Sequence, residues 1–551
     1  MKKQQGQGDT FLVGQLAAAI SIASFFYFLR HSQLLLYGDA VAHINIARRV
    51  FDSQTPGLLQ LGTVWLPLPH LLMAPFLVSV ALWQTGIGGS IPSLFAFVLS
   101  VSGIFRVVRD LLASAFSRYA DDRTPRETKF AAWLGAAIFA LNPNLIYLQT
   151  TAMTEPMYLA FFIWSVVFFV EAIRACANSE AEKGNKALVK AGLCLAGACL
   201  TRYDGWVLAA LMIAVLLALA WIGNFRALRS GAKKLILLAA AGPAFWLAYN
   251  AAVYRNPLEF ANGPYSARAI EQKTATPGTP PHPGTKNLRI AFQYFFNSAE
   301  LNVAAAQLQI FWIFALLLGT AIVVLFQRRL WPVLILCTPA PFYMLSIAYG
   351  GVPLFVPDWW PFSYYNVRYG IELLPAFAVF TAVAAWGLMR FVVTRKSKLM
   401  IGVAIILLVA MSYAQVFKTG PVSLEEAKIN SRTRVALENQ LTQVLLTLSP
   451  NSSFLMYLGD HVGALQQAAI PLSRVINEGN HRPWMQPYDP EGLWERALQD
   501  PAKYADYVIT FDSDVTASKV NREQLETVAI LRVTGQPQAT IYRTQKSNHA
   551  H

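Results

Sequence analysis

Long apolar runs separated by short polar loops fill the chain up to about residue 418. The first, Phe11 to Leu29, follows Lys2 and Lys3 and lacks a small-residue cleavage pattern, so it reads as a retained helix rather than a signal peptide. Comparable runs recur near 91–108, 130–147, 157–173, 187–200, 206–222, 235–253, 308–326, 332–350, 370–389 and 399–417. A helix needs roughly 20 apolar residues to cross a bilayer. The pattern therefore predicts a polytopic α-helical membrane protein with about eleven spans.

Lysine and arginine in short loops orient such spans, because they stay on the cytoplasmic side. The loop holding Arg106, Arg109, Arg118, Arg123, Arg126 and Lys129 is the strongest marker, followed by Arg226 to Lys234, Arg328 with Arg329, and Arg390 to Lys398. This places the N-terminus inside and the C-terminus outside, with long external loops at about 30–90 and 254–306. The run Val64 to Trp83 is long enough to span, but Pro67, Pro69 and Pro75 interrupt it. It is predicted to be a juxtamembrane or re-entrant element of the first external loop, tolerated where it lies against protein. The Pro-rich stretch 274–285 of the later loop has the make-up of a lid.

The pattern changes at about residue 419. "SSFLMYLG", "RVINEG" and "DYVITFDS" read as short buried strands, and "TVAILRV" with "ATIYRT" as a closing hairpin. Helical patterns alternate with them. The expected organisation is a membrane domain over 1–418 and a small soluble, extracytoplasmic α/β domain over 419–551.

Composition sharpens this picture. The 551 residues are 55% hydrophobic and 14% charged, against about 25% charged in soluble domains. Residues 419–551 carry 12 Lys and Arg against 14 Asp and Glu, net −2; the remainder carries 33 against 17, net +16. A basic excess confined to the membrane part fits loop orientation and an anionic ligand, and no basic soluble module points to nucleic acid. The four cysteines lie in or beside apolar runs without metal spacing, which argues against disulfides and zinc. No Gly-rich phosphate loop opens the tail.

With this topology, the polar residues that stand out fall on one side. Asp39, His43 and His70 lie in the first external loop, Glu155 in the second, and Arg202, Tyr203 and Asp204 at the third external turn. Arg268 and Lys273 lie in the long loop, and Arg368 and Tyr369 at the outer end of a late span. Charges near membrane depth are costly and mark sites or pathways. Each also suits a plainer role: Asp39 as a helix cap, His43 as its neighbour one turn on, Glu155 as a helix-start residue before Pro156, Arg202 with Asp204 as a local ion pair, and Arg368 as an interfacial anchor.

The order "GDAVAHINIARR", "WLPLPHLL", "TTAMTEPMYLAFF", "LTRYDGW" and "NVRYGIELLP" resembles the GT-C superfamily of integral-membrane glycosyltransferases. It is most similar to bacterial and archaeal relatives of protein O-mannosyltransferases and of the aminoarabinose transferase that modifies lipid A. The resemblance covers residues 1 to about 390. It implies that Asp39 is the catalytic base, that Glu155 assists it or binds metal, and that Arg368 contacts the donor phosphate. A phosphate leaving group needs its charge held, for which Arg202, Arg268 and Lys273 are further candidates. An acceptor hydroxyl needs a carboxylate base, and one base with a good leaving group implies a single inverting displacement. Asp204, Tyr203, Tyr369 and His70 are candidates for holding the sugars.

His43 is expected either to orient Asp39 or to join Asp39 and Glu155 around a divalent cation such as Mg or Mn; the alternative is no metal. The expected function is transfer of a sugar from a polyprenyl-phosphate-linked donor to a lipid, glycan or protein hydroxyl, outside a cytoplasmic (inner) membrane. The competing readings are a flippase of lipid-linked glycans, which calls for inverted repeats that the sequence lacks, and a non-catalytic scaffold.

Overall fold

The computed structural model describes residues 2–114, 126–222, 228–274, 280–326, 328–459, 461–480, 492–512, 514–522 and 525–545. Among the described residues, nine helical segments are long and apolar enough to cross a membrane. They are Gly8–Arg30, Ile87–Ala113, Glu155–Ala177, Asp204–Trp221, Arg229–Tyr254, Ala306–Leu325, Trp331–Tyr349, Val367–Phe391 and Arg395–Leu445. Two more expected spans are helical but fall outside this set. Arg126–Ala140 has 15 residues, and Ala181–Thr201 carries Lys183, Lys186 and Lys190.

Val367–Phe391 is the centre of the bundle, with 94% of its apolar window buried inside the protein. Small residues let its neighbours approach. A Cβ on Gly319 would collide with the carbonyl of Phe380, and one on Gly370 with the backbone of Ser298 and Ala299. Such close helix contacts rely on small side chains where lipid supplies no hydrophobic drive.

The Val64–Trp83 run is not one continuous helix. It breaks into the short helical segments Leu68–Met73, Ala74–Val78 and Val80–Gln84, as its prolines dictate. Before it comes the helix Gly38–Arg49, called the loop helix below.

Arg395–Leu445 is two helices. Gly420, at φ +93°, and Pro421 turn the chain between Arg395–Thr419 and Val422–Leu445. The second helix buries Glu426, Arg434 and Glu438 on the face it turns to the membrane domain and tail. The tail then forms one five-stranded sheet: β1 (Phe454–Met456), β2 (Val475–Ile476), β3 (Tyr507–Phe511), β4 (Glu526–Leu531) and β5 (Ala539–Arg543). Their order is β2-β1-β3-β5-β4; β1 pairs parallel with β2 and β3, while β5 runs antiparallel to β3 and β4. The apolar runs thus produced both the helices and all five strands in their expected places.

The tail is bound to the first long loop. Asn45 donates to Gln466 Oε1 at 2.7 Å and accepts from Trp83 Nε1 at 3.1 Å. Gln466 donates to the Trp83 carbonyl at 2.7 Å, and Gln84 to that of Gln467 at 2.7 Å. Asp52 accepts from the Ser473 amide at 2.9 Å. The loop helix is therefore held between the membrane helices and the sheet domain.

Candidate active site

Four chain segments deliver the polar centre. Asp39 sits in the first turn of the loop helix, whose N-cap, Tyr37, makes no side-chain cap. Asp39 is therefore not the cap that its position allows; its charge still suits a helix N-terminus. Glu155 opens the helix Glu155–Ala177, with Pro156 behind it fixing the first turn. The turn before it is anchored by Asn142, which caps Pro143–Leu148 by accepting from the amides of Asn144 and Leu145. Arg202 closes the helix Ala181–Thr201, and Arg368 begins the central segment.

Arg368 spends each guanidinium nitrogen on a different carboxylate. Nη2 meets Asp39 Oδ2 at 2.5 Å, Nε meets Glu155 Oε1 at 3.2 Å, and Nη1 meets Glu426 Oε1 at 2.8 Å. Glu426 also accepts from the amides of Asn366 at 2.7 Å and Arg368 at 3.1 Å, which fixes the start of the central segment. Arg202 meets Glu155 Oε1 at 3.3 Å, Asp204 Oδ2 at 3.2 Å and Glu372 Oε1 at 3.1 Å. It also donates to Tyr343 Oη at 2.8 Å and Thr154 Oγ1 at 3.0 Å. Tyr369 lies under both guanidinium groups, 5.0 Å from Arg368 and 5.1 Å from Arg202, and stacks on Tyr343.

Burial separates the five carboxylates. The Glu155, Asp204, Glu372 and Glu426 side chains are at most 2% exposed, whereas Asp39 is 44% exposed. Asp39 is the carboxylate of this network that a ligand in solvent or at the membrane surface can reach. Among the described residues, one oxygen each of Glu155, Asp204 and Glu372 has no hydrogen-bond partner.

His43 departs from expectation. It turns from Asp39 to His70, with Nδ1 and Nε2 2.9 Å apart, and lies against the Trp65 ring. Burial, then the charges of Arg202 and Arg368, lower its pKa to about 3, so it is neutral and carries no charge to orient Asp39. His70 is fully buried, its pKa lowered by burial and by His43, and its Nδ1 has no partner. It is thus a buried support of the loop helix, paired with His43. Tyr203 likewise ties elements together, donating to the Val64 carbonyl at 2.9 Å, accepting from Trp246 Nε1 at 3.1 Å and stacking on Phe260.

The expected phosphate ligands also divide. Arg368, 5% exposed, is no outward anchor but the hub of the network. Arg202 with Asp204 forms the local ion pair as well as the wider cluster. Arg268 is exposed on the short helix Ala267–Thr274, and among the described residues no hydrogen bond or ion pair joins it to the network. The Lys273 side chain lies outside the described residues. Asp39, Glu155 and His43 are not assembled to hold a cation: among the described residues no group of three His, Cys, Asp or Glu is so arranged. Both carboxylates are instead engaged by guanidinium groups.

Glu372, Glu426 and Tyr343 belong to the centre and were not singled out from the sequence. Glu372 had a signal, an acid four residues after Arg368 inside an apolar run. Glu426 had none that distinguishes it from Glu425.

The family model for dolichyl-phosphate-mannose-protein mannosyltransferase matches residues 123–253. The structure is similar to ArnT from Cupriavidus metallidurans in the apo state, with a TM-score of 0.57 at 14% identity over 98% of this chain and 99% of that chain. It is equally similar to the same protein bound to undecaprenyl phosphate, with a TM-score of 0.56 at 14% identity over 96% and 97%. The Archaeoglobus fulgidus oligosaccharyltransferase in the apo form superposes at a TM-score of 0.47 with 12% identity, over 91% of this chain and 69% of that chain. No curated protein matches by sequence. The chain has the GT-C membrane fold that its motif order resembles.

Proposed function

We propose that this protein is an inverting glycosyltransferase that moves a sugar from a lipid-phosphate-linked donor to an acceptor hydroxyl at the extracytoplasmic face of a membrane. The observation that carries the reading is Asp39: half-exposed, at the mouth of a network whose other carboxylates are buried, and held by the arginine best placed to meet a phosphate. The fold shared with a protein crystallised with undecaprenyl phosphate supports a polyprenyl-phosphate donor, and the mannosyltransferase model over residues 123–253 supports a hexose.

Asp39 Oδ2 is occupied by its ion pair with Arg368 Nη2. A donor phosphate placed at Arg368 Nη2 takes over that bond. Nε and Nη1 stay on Glu155 and Glu426, so the guanidinium keeps its place while Asp39 is released. The freed carboxylate accepts the proton of the acceptor hydroxyl. The hydroxyl oxygen bonds to the anomeric carbon, the bond from that carbon to the phosphate oxygen breaks, and the phosphate leaves with its electron pair onto Arg368. Donor binding thereby frees the carboxylate for the acceptor hydroxyl.

The test is a reconstituted assay of the full chain with a panel of polyprenyl-phosphate sugars. Transfer by wild type and its loss in Asp39→Asn is expected. Undiminished transfer by Asp39→Asn sinks the mechanism, and no turnover of any donor by wild type sinks the activity.

A further inference from the structure

The loop helix ends in two arginines with opposite surroundings. Arg48 is engaged through Nε and Nη1: Nε donates to Asp52 at 2.8 Å, Nη1 to the carbonyls of Leu77 and Val78, and the guanidinium lies 4.8 Å from the Trp83 ring. Arg49 makes no hydrogen bond or ion pair among the described residues, and its Nε is buried. The nearest opposite charge is Glu478 of the tail, whose carboxylate accepts instead from the Leu458 amide at 2.9 Å. Tyr254 and Tyr265 act electrostatically on the guanidinium, and Arg49 itself is part-exposed.

A second unmatched group meets it. Gln60, 4% exposed, donates through Nε2 to the Thr55 carbonyl, Thr55 Oγ1 and the Gly479 carbonyl, while its buried Oε1 accepts from nothing among the described residues. A Cβ added to Gly479 would lie 2.8 Å from Gln60 Oε1 and 3.5 Å from Arg49 Nη1. A guanidinium with free donors and an amide with a free acceptor thus converge beside Gly479, whose missing side chain also keeps Asn477 Oδ1, 2.9 Å from that Cβ position, from being crowded. Guanidinium forks match phosphate and carboxylate oxygens, and an amide oxygen accepts from a hydroxyl.

We propose that Arg49 and Gln60, beside Gly479, form a binding subsite for an oxyanion with a neighbouring hydroxyl, the chemistry of a phosphorylated or acidic sugar on the acceptor. This rests on the function proposed above. Asp39 and Arg49 are ten residues apart on one helix, about 15 Å at 1.5 Å per residue. A leaving phosphate is bonded to the carbon under attack and must lie near Asp39, so an anion at Arg49 belongs to the acceptor. The subsite lies where the tail meets the first loop, which gives the tail a part in acceptor choice.

The test is calorimetric titration of the purified full-length protein with glucose 6-phosphate, glucuronate and glucose. At least one of the two anionic sugars is expected to bind about tenfold or more tighter than glucose, the phosphate and carboxylate arms identifying which oxyanion is preferred. Arg49→Gln should erase that preference, Arg49→Lys should keep part of it, and Asp39→Asn should leave it intact. Gly479→Ala, which crowds Gln60 Oε1 without changing charge, should also erase it, so the outcome does not hang on one variant's folding. Equal binding of the three sugars by wild type overturns the proposal. So does an unchanged preference in a folded Arg49→Gln, or its loss in Asp39→Asn, which would put the anion at the catalytic centre. Binding is read without turnover, so a failed transfer assay counts against the proposed activity alone.

Discussion

The two ends of the loop helix pose opposite electrostatic problems. At the Asp39 end, two guanidinium groups face five carboxylates, and every nitrogen of Arg368 that can donate is taken. At the Arg49 end a guanidinium has donors to spare. Arginine abundance is therefore a poor guide to anion binding; what counts is how many of its donors the protein has left free. Arg368 can meet a phosphate only by exchanging partners, and the bond to the half-exposed Asp39 is the one it can exchange. Arg49 can meet an anion with no exchange at all.

The largest effect that sharpens this contrast is on catalysis. Asp39→Asn should lower transfer by about 10²- to 10⁴-fold, with the unfolding temperature in detergent nearly unchanged because the side chain is half-exposed. Equal losses of activity and stability would make Asp39 a structural partner of Arg368 instead. Next is the buried support. Glu426→Ala leaves Arg368 short of a partner in a site 1% exposed and should destabilise by about 3–5 kcal/mol. Its neighbour Glu425→Ala removes only a surface pair with Lys428, worth about 0–1 kcal/mol. Similar melting shifts for both would refute the hub role of Glu426.

Acid gives a smaller effect. His43 has a folded pKa of about 3 against about 6.5 unfolded, so the unfolded state binds the extra proton. Stability is then full above about 6.5 and falls as the pH drops toward 3, by on the order of 2 kcal/mol at pH 5. His43→Gln should flatten that slope in pH-dependent melting. The smallest effect is at the seam. Asn45→Ala strands Gln466 Oε1 and Trp83 Nε1 and should cost about 1–3 kcal/mol. It should loosen the tail, seen as faster proteolysis after residue 445, before it touches donor turnover.

Much of this was legible because it is periodic or local. Apolar runs announced the spans, and three prolines announced the broken segment 64–83. Charges stranded beside those runs, Asp39, Glu155, Arg202 and Arg368, meet in one network. Pairing was less legible. His43 is one turn from Asp39, yet its partner is His70, 27 residues on, because burial favours the neutral ring pair. Arg48 and Arg49 look alike in sequence, but the folded loop engages one and leaves the other free. Glu426 and Glu425 differ only by which face of one helix they occupy, and that face is chosen by contacts with residues far earlier in the chain.

Glu426 has a bearing on synthesis. Its oxygen lies 3.4 Å from the hydroxyl of Tyr37, a residue 389 positions earlier. A ribosome adding roughly 5–20 residues per second inserts Arg368 and Asp39 well before the acid that anchors them emerges. Until the last span has crossed and the helix behind it has docked, Arg368 lacks its third carboxylate, and the network around it stays incomplete.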